Sequence, residues 1–207
     1  MSDLIVLIIY CAILGSGVGF LAGLLGIGGG LVIVPILSMI LLHFNALPPE
    51  QVVVVAIATS LASILFTSTS SAIAHHKNGN VPWDIAPWVM AGVAFGALIS
   101  GFMAALLPEH VVRLVFAVSV VLIALKMIFS GKNDSSLERP LPNKGLLSVY
   151  TTITGGLSAM IGIGGGAVLV PLLTFFSVDM KKAIGCASAS GIVIALFGSM
   201  GYISSGS

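Results

Sequence analysis

Between Leu4 and Leu25 the chain carries no charged side chain. Wound as a helix at about 1.5 Å per residue, that stretch reaches about 33 Å, enough to cross a hydrocarbon core about 30 Å thick. Comparable apolar runs follow at Leu31–Phe44, Gln51–Ala74, Ile85–Leu107, Val111–Phe129, Gly145–Ile161, Ala167–Val178 and Lys181–Ile203. Only 7% of the residues are charged and 57% are hydrophobic, against about 25% charged in a soluble domain. There is too little polar material to cover a water-facing surface, so the expected solvent is lipid. The expected fold class is an all-α integral membrane protein, a polytopic helical bundle in contact with the lipid bilayer.

Other classes drop out on the same grounds. A net charge of +1 without a basic run leaves nothing to bind nucleic acid. Cys11 and Cys186 both lie inside apolar runs and no CxxC occurs, so neither a disulfide framework nor a metal site is expected. His75 and His76 adjoin Lys77 in what reads as a short loop, which supplies no further metal ligands. The start, MSDLIVLIIY, lacks a basic n-region, so the first apolar run reads as a retained helix. No Ser-His-Asp or Cys-His constellation and no paired carboxylates occur in the spans, so an enzyme is not expected, and no cofactor is implied.

The pentapeptide GIGGG occurs twice, at 26–30 and 162–166, each time followed by four residues and then proline, Pro35 or Pro171. The segments behind the clusters are short for a bilayer. They read either as thin spans or as broken helices that begin within the membrane. Loop charges bear on the topology. Lys77, Lys132, Arg139, Lys144, Lys181 and Lys182 lie in short loops, and Lys126 ends the fifth span. If both short segments cross, all of these fall on one side with the N-terminus opposite, leaving Arg113 near the other face. The positive-inside rule favours that arrangement, with the N-terminus outside and five crossings per unit.

An odd number of crossings inserts the second unit upside down, so two inverted repeats are expected. The stretch AIATSLAS at 56–63 matches AIGCASAS at 183–190, which extends the repeat beyond the glycines. The expected organisation is a first membrane repeat at 1–129 with about five helical segments. A solvated cytoplasmic linker follows at 130–144, then a second repeat at 145–207 with about three segments, hence incomplete. A homo-oligomer is compatible with an incomplete second unit.

The paired GIGGG-x4-P motifs, each within a unit of a duplicated apolar chain, resemble those of the sulfite exporter (TauE/SafE) family. The stretch HHKNGNVPW and its following apolar helix also resemble that family's first half. The resemblance covers essentially the whole chain. It implies a multi-pass carrier of the inner membrane that exports small anions such as sulfite, sulfoacetate or related organosulfur and organic anions. The alternative is a non-transporting subunit or scaffold, or a truncated product, completed by a partner; a channel is a third reading.

The residues point to an anion site independently of that family. Consecutive glycines permit an unwound backbone with no side chain between it and a ligand, and irregular backbone at membrane depth is tolerated where protein or a water-filled cavity covers it. A helix then begins, and its first-turn amides lack intrahelical partners and carry partial positive charge. An uncharged protein surface binds an anion in this way. Candidate binding residues are therefore Gly28, Gly29 and Gly30 with Gly164, Gly165 and Gly166. Hydroxyls at Thr59, Ser60, Ser63, Ser188 and Ser190 are candidate donors to a small anionic substrate; alternatively they bond their own helix or a neighbour. For Thr67, Ser68, Thr69 and Ser70 that structural role is the expectation. Gly15, Gly19 and Gly23, like Gly92 and Gly96, follow the spacing that lets helices pack closely. GIGGG lacks the Gly-Lys-Ser/Thr of a P-loop and no acidic residue follows at dinucleotide distance, which excludes a nucleotide site.

Overall fold

The structure, a computed structural model, describes residues 2–25, 29–129 and 140–205. Those residues form α1 (Ser2–Leu25), α2 (Gly30–His43), α3 (Pro49–Lys77), α4 (Ala86–Leu106), α5 (Glu109–Phe129), α6 (Lys144–Ile161), α7 (Gly166–Phe175) and α8 (Met180–Ser205), with no strand among them. The chain is all-α, as its composition requires. Among the described residues Gln51–Lys77, Ala86–Met103 and Met180–Ser204 are long and apolar enough to cross a membrane, and Ile8–Phe20, Gly30–His43, His110–Leu122 and Gly166–Phe175 are shorter apolar helices. Most of the linker expected at 130–144 lies outside the described residues.

Helix ends follow local chemistry. Asp179 starts α8, its carboxylate accepting the Lys181 amide at 2.9 Å as an N-cap. The loop expected to hold His75, His76 and Lys77 is instead the last turn of α3. Gly79, at φ 67°, ends that helix, its amide reaching the His76 carbonyl while the Asn80 amide reaches that of His75, a Schellman closure. The two short helices end alike. After Phe44 and Phe176 come Asn45 at φ 47° and Ser177 at φ 60°. The Ala46 and Val178 amides then close on the Leu41 and Leu173 carbonyls, both at 3.1 Å. Because that closure falls at Ser177, α7 stops at Phe175 rather than Val178. It has 10 residues, about 15 Å of helix.

Close approaches set the direction of each helix. The Ser71 and Ser188 hydroxyls meet at 2.9 Å while Gly198 lies against Leu61, so α3 and α8 run antiparallel. Gly101 packs on Gly198 and Gly201, and Gly92 and Gly96 pack on the Ser148–Gly156 stretch, so α4, α6 and α8 run the same way. Their starts share one end of the bundle, where Gly185 abuts Asn80 and the Lys144 ammonium lies 5.6 Å from the Trp88 ring centroid. Lys77, Lys144, Lys181 and Lys182 all belong to that end. Tyr10, early in α1, packs edge-on against Phe44 at the end of α2, 6.0 Å between centroids. Both therefore lie at the opposite end, where α3 begins.

The result is two helical hairpins, α1–α2 and α6–α7, entering from opposite ends. The turn between α6 and α7, and the start of α2 packed on it, lie inside the bundle beside α3 and α8. Gly162 packs on Ile57 and Ser60, and the Gly164 carbonyl faces Gly191 next to Ser68. On α3, Ser60–Ser68 falls within the middle third of Pro49–Lys77. Ile57, Leu61, Ile64, Val93 and Ile194 fill the surrounding core, each fully buried.

Glycine allows that density selectively. A Cβ on Gly92 would overlap the Ser148 carbonyl and Thr151 hydroxyl, and one on Gly155 would fall 2.5 Å from the Val93 Cα. The stripe in α1 behaves differently. Cβ atoms on Gly15 or Gly19 would meet nothing within 4 Å, so, contrary to expectation, those two glycines do not pack closely against another described helix. The spacing is the same; no described helix lies opposite.

Candidate functional site

Each described glycine of the second cluster has a separate task. Gly162, at φ 71°, terminates α6. Its amide bonds the Ala159 carbonyl at 3.2 Å and the Ile163 amide that of Ser158 at 2.8 Å. Gly165, at φ 77°, starts α7, and the Val168 and Leu169 amides both return to its carbonyl. Only glycine adopts such angles at little cost. Gly166 is the first helical residue, and the whole Gly162–Gly166 stretch is buried.

The first cluster repeats this geometry where it is described. Gly29, at φ 71°, caps α2, and the Val32 and Ile33 amides return to its carbonyl at 3.0 Å. Gly30 opens the helix. Gly28 lies outside the described residues. Pro35 and Pro171 both sit inside their helices, at the sixth position, beyond the first turn. Neither cap has a side-chain hydrogen bond, and neither first turn carries an acidic residue.

Consequently the amides of Gly30 and Leu31 in α2, and of Gly166 and Ala167 in α7, have no backbone acceptor among the described residues. Each helix start carries roughly half a positive charge. The two starts face inward from opposite ends, and the α2 start lies against the turn that leads into α7: a Cβ on Gly30 would overlap the Gly162 carbonyl and lie 3.0 Å from the Ile163 Cα. The arrangement offers amide donors without a countercharge, which suits a small anion.

The hydroxyl candidates divide. Thr59 donates to the Val55 carbonyl at 2.8 Å and Ser63 to the Thr59 carbonyl at 3.0 Å; both bonds stay within α3, and Thr59 is exposed. Ser60, fully buried, donates from α3 to the Gly162 carbonyl at the end of α6, at 2.8 Å. Ser188 donates to the Ile184 carbonyl and pairs with Ser71. Ser190 is fully buried, and apart from the Cys186 thiol one turn before it, its hydroxyl has no hydrogen-bond partner. Thr67 and Thr69 bond their own helix, and Ser68 is covered by Gly191.

Two residues escaped the sequence reading. Ser158 is buried with an unpartnered hydroxyl, and its position four residues before Gly162 was the available signal. Ser71 joins α3 to α8 through Ser188, and nothing in its surroundings distinguishes it from the serines beside it. At the lysine-rich end the Trp83 indole donates to His76 Nδ1 at 3.2 Å, and Trp83 and Trp88 are exposed, as residues at a membrane interface are.

A family model described as Sulfite exporter TauE/SafE matches residues 11–207. A probable membrane transporter protein of Haemophilus influenzae is 38% identical over 200 residues, covering 96% of this chain and 75% of its own length. One of Methanocaldococcus jannaschii is 30% identical over 83% of this chain, which spans 63% of that relative. The probable membrane transporter protein YunE of Bacillus subtilis is 27% identical over 94% of this chain and 77% of its own. No solved structure matches significantly.

Proposed function

We infer the function from one premise: this chain belongs to the sulfite exporter TauE/SafE family, and is a membrane transporter. It moves small anions, sulfite, sulfoacetate or related organosulfur and organic anions, by alternating access. One observation carries this reading. Two glycine-led helix starts without side-chain caps come from opposite ends, and the first of them, at Gly30, abuts the Gly162 turn that leads into the second. The anion is held at the clusters Gly28–Gly30 and Gly164–Gly166 by the amides of Gly30, Leu31, Gly166 and Ala167, with the Ser190 hydroxyl as a further donor.

The antiparallel course of α3 and α8, and the opposed hairpins, support two inverted repeats at 1–129 and 145–207. The clustering of Lys77, Lys144, Lys181 and Lys182 supports a cytoplasmic location for that end, with linker 130–144 beside it and the N-terminus outside an inner membrane. Thiol labelling of Lys132→Cys and Lys181→Cys should occur from the same face; labelling from opposite faces contradicts this topology.

Flux measurement tests the transport reading. Proteoliposomes containing the protein should pass sulfite well above protein-free vesicles. The Gly29→Leu/Gly165→Leu double variant should lose that flux, because both caps then carry side chains at left-handed angles that leucine rarely adopts. Unchanged flux in the double variant rules out the site.

A further inference from the structure

We propose that the site selects singly charged anions, hydrogensulfite and sulfonates bearing one negative charge, over doubly charged ones such as the sulfite dianion, sulfate and sulfoacetate. This rests on the anion-site reading above and narrows its substrate class by charge. The starts of α2 and α7 border one apolar cluster. Ile161, Ile163 and Ala167 are buried together, and Leu31, Phe116 and Val120 pack against them. Leu31 and Ala167 are the second residues of their helices, so the unpartnered amides of both helices share the same apolar surround.

A polar side chain stands at the α7 start as well. Ser190 lies on one face of α8 with Ala187 and Ile194, three residues before it and four after. Both of those approach Gly165, where a Cβ would fall 2.8 Å from the Ile194 Cδ1 and 3.9 Å from the Ala187 carbonyl oxygen. The buried Ser190 hydroxyl has no partner apart from the Cys186 thiol. It can donate to an anion oxygen or accept the proton that hydrogensulfite carries.

The positive charge at this place is small. Each helix start carries about half an elementary charge, so the two together offset about one negative charge. No lysine, arginine or histidine lies between Leu4 and Leu42 or between Gly145 and Val178. On α5, Arg113 shares the face of Phe116 and Val120, but it is exposed and lies a turn nearer the start of the helix.

A second negative charge enters the balance unevenly. The cost of drying an ion rises with the square of its charge, whereas attraction to fixed dipoles rises in simple proportion. A dianion therefore costs about four times as much to bring between these apolar walls and recovers about twice as much. A lysine or arginine beside the amides would offset the second charge, and the helix starts have none.

Calorimetric titration of the purified protein with methanesulfonate, sulfate and sulfite compares a fixed single charge, a fixed double charge and an anion whose second ionisation falls near neutrality. Methanesulfonate should bind at least about a hundredfold more tightly than sulfate. Apparent affinity for total sulfite should fall about tenfold per pH unit above that second ionisation, following the singly charged fraction. Methanesulfonate affinity should stay level over the same range, which excludes titration of the protein as the cause. Arg113→Gln should preserve the ranking. Sulfate binding as tight as that of methanesulfonate, sulfite affinity that holds or rises with pH, or a ranking altered in Arg113→Gln overturns the selectivity while leaving the anion site standing. Binding of none of the three defeats the anion-site reading, and the selectivity with it.

Discussion

Gly96→Ala will destabilise the bundle by about 3 kcal/mol, roughly a hundredfold in the folded population. The added methyl overlaps the Thr152 carbonyl oxygen and comes within 2.8 Å of the Thr152 carbonyl carbon and 2.9 Å of the Gly156 amide nitrogen. All three atoms are α6 backbone, which cannot rotate aside as a side chain would. The two helices must separate, and the interface around Gly92 and Gly155 loosens with them. Gly15→Ala is the matched control: the methyl meets nothing within 4 Å, and alanine's helix preference should leave stability unchanged or up to about 1 kcal/mol higher. Thermal melting in one detergent compares them. Coincident melting of Gly96→Ala and the unsubstituted protein contradicts the α4–α6 packing.

If the proposed function holds, Gly30→Ala will reduce sulfite flux at least tenfold. Its methyl overlaps the oxygen that accepts the Ser60 hydrogen bond, with the Gly162 carbonyl carbon at 2.9 Å and the Ile163 Cα at 3.0 Å behind it. Relief requires α2 to retreat from the α6–α7 turn by an ångström or more. That movement draws the α2 start away from the turn leading into α7, weakening the field at the proposed anion site, and disturbs the carbonyl that Ser60 bonds. Gly17→Ala, whose methyl has open space, should retain flux. Monodispersity on size exclusion confirms that both variants are folded, and equal flux in the two would show that the contact between the hairpin turns has no part in transport.

Much of this arrangement was legible from residue order alone. Uninterrupted apolar runs located the helices to within a few residues, because lipid permits few other ways of satisfying the backbone. The matching clusters announced two equivalent breaks, and the loop lysines anticipated the shared end of α3, α4, α6 and α8. Partners were less legible. The glycine stripes of α1 and α4 have the same spacing, yet only Gly92 and Gly96 face another described helix. Spacing describes one helix surface and is silent about what stands opposite. The hydroxyls show the same gap: Thr59 and Ser63 turn to their own helix, whereas Ser60, their neighbour, reaches 102 residues along the chain. Gly162 drew little notice as the first glycine of its motif, but it ends one helix, receives Ser60 and carries Gly30.

The proposed central claim, an anion held at glycine-led helix starts inside the bundle, is most directly tested by binding to purified protein. Ala167 is buried in the first turn of α7, where its amide is among the unpartnered donors. Ala167→Asp places a tethered carboxylate at that helix start, where negative charge is favourable, and so mimics the bound anion; Ala167→Ser adds a hydroxyl without charge. Calorimetric titration with sulfite should give saturable binding for the unsubstituted protein and for Ala167→Ser, and none for Ala167→Asp. Undiminished sulfite binding by a folded Ala167→Asp protein would place the anion elsewhere and contradict the account.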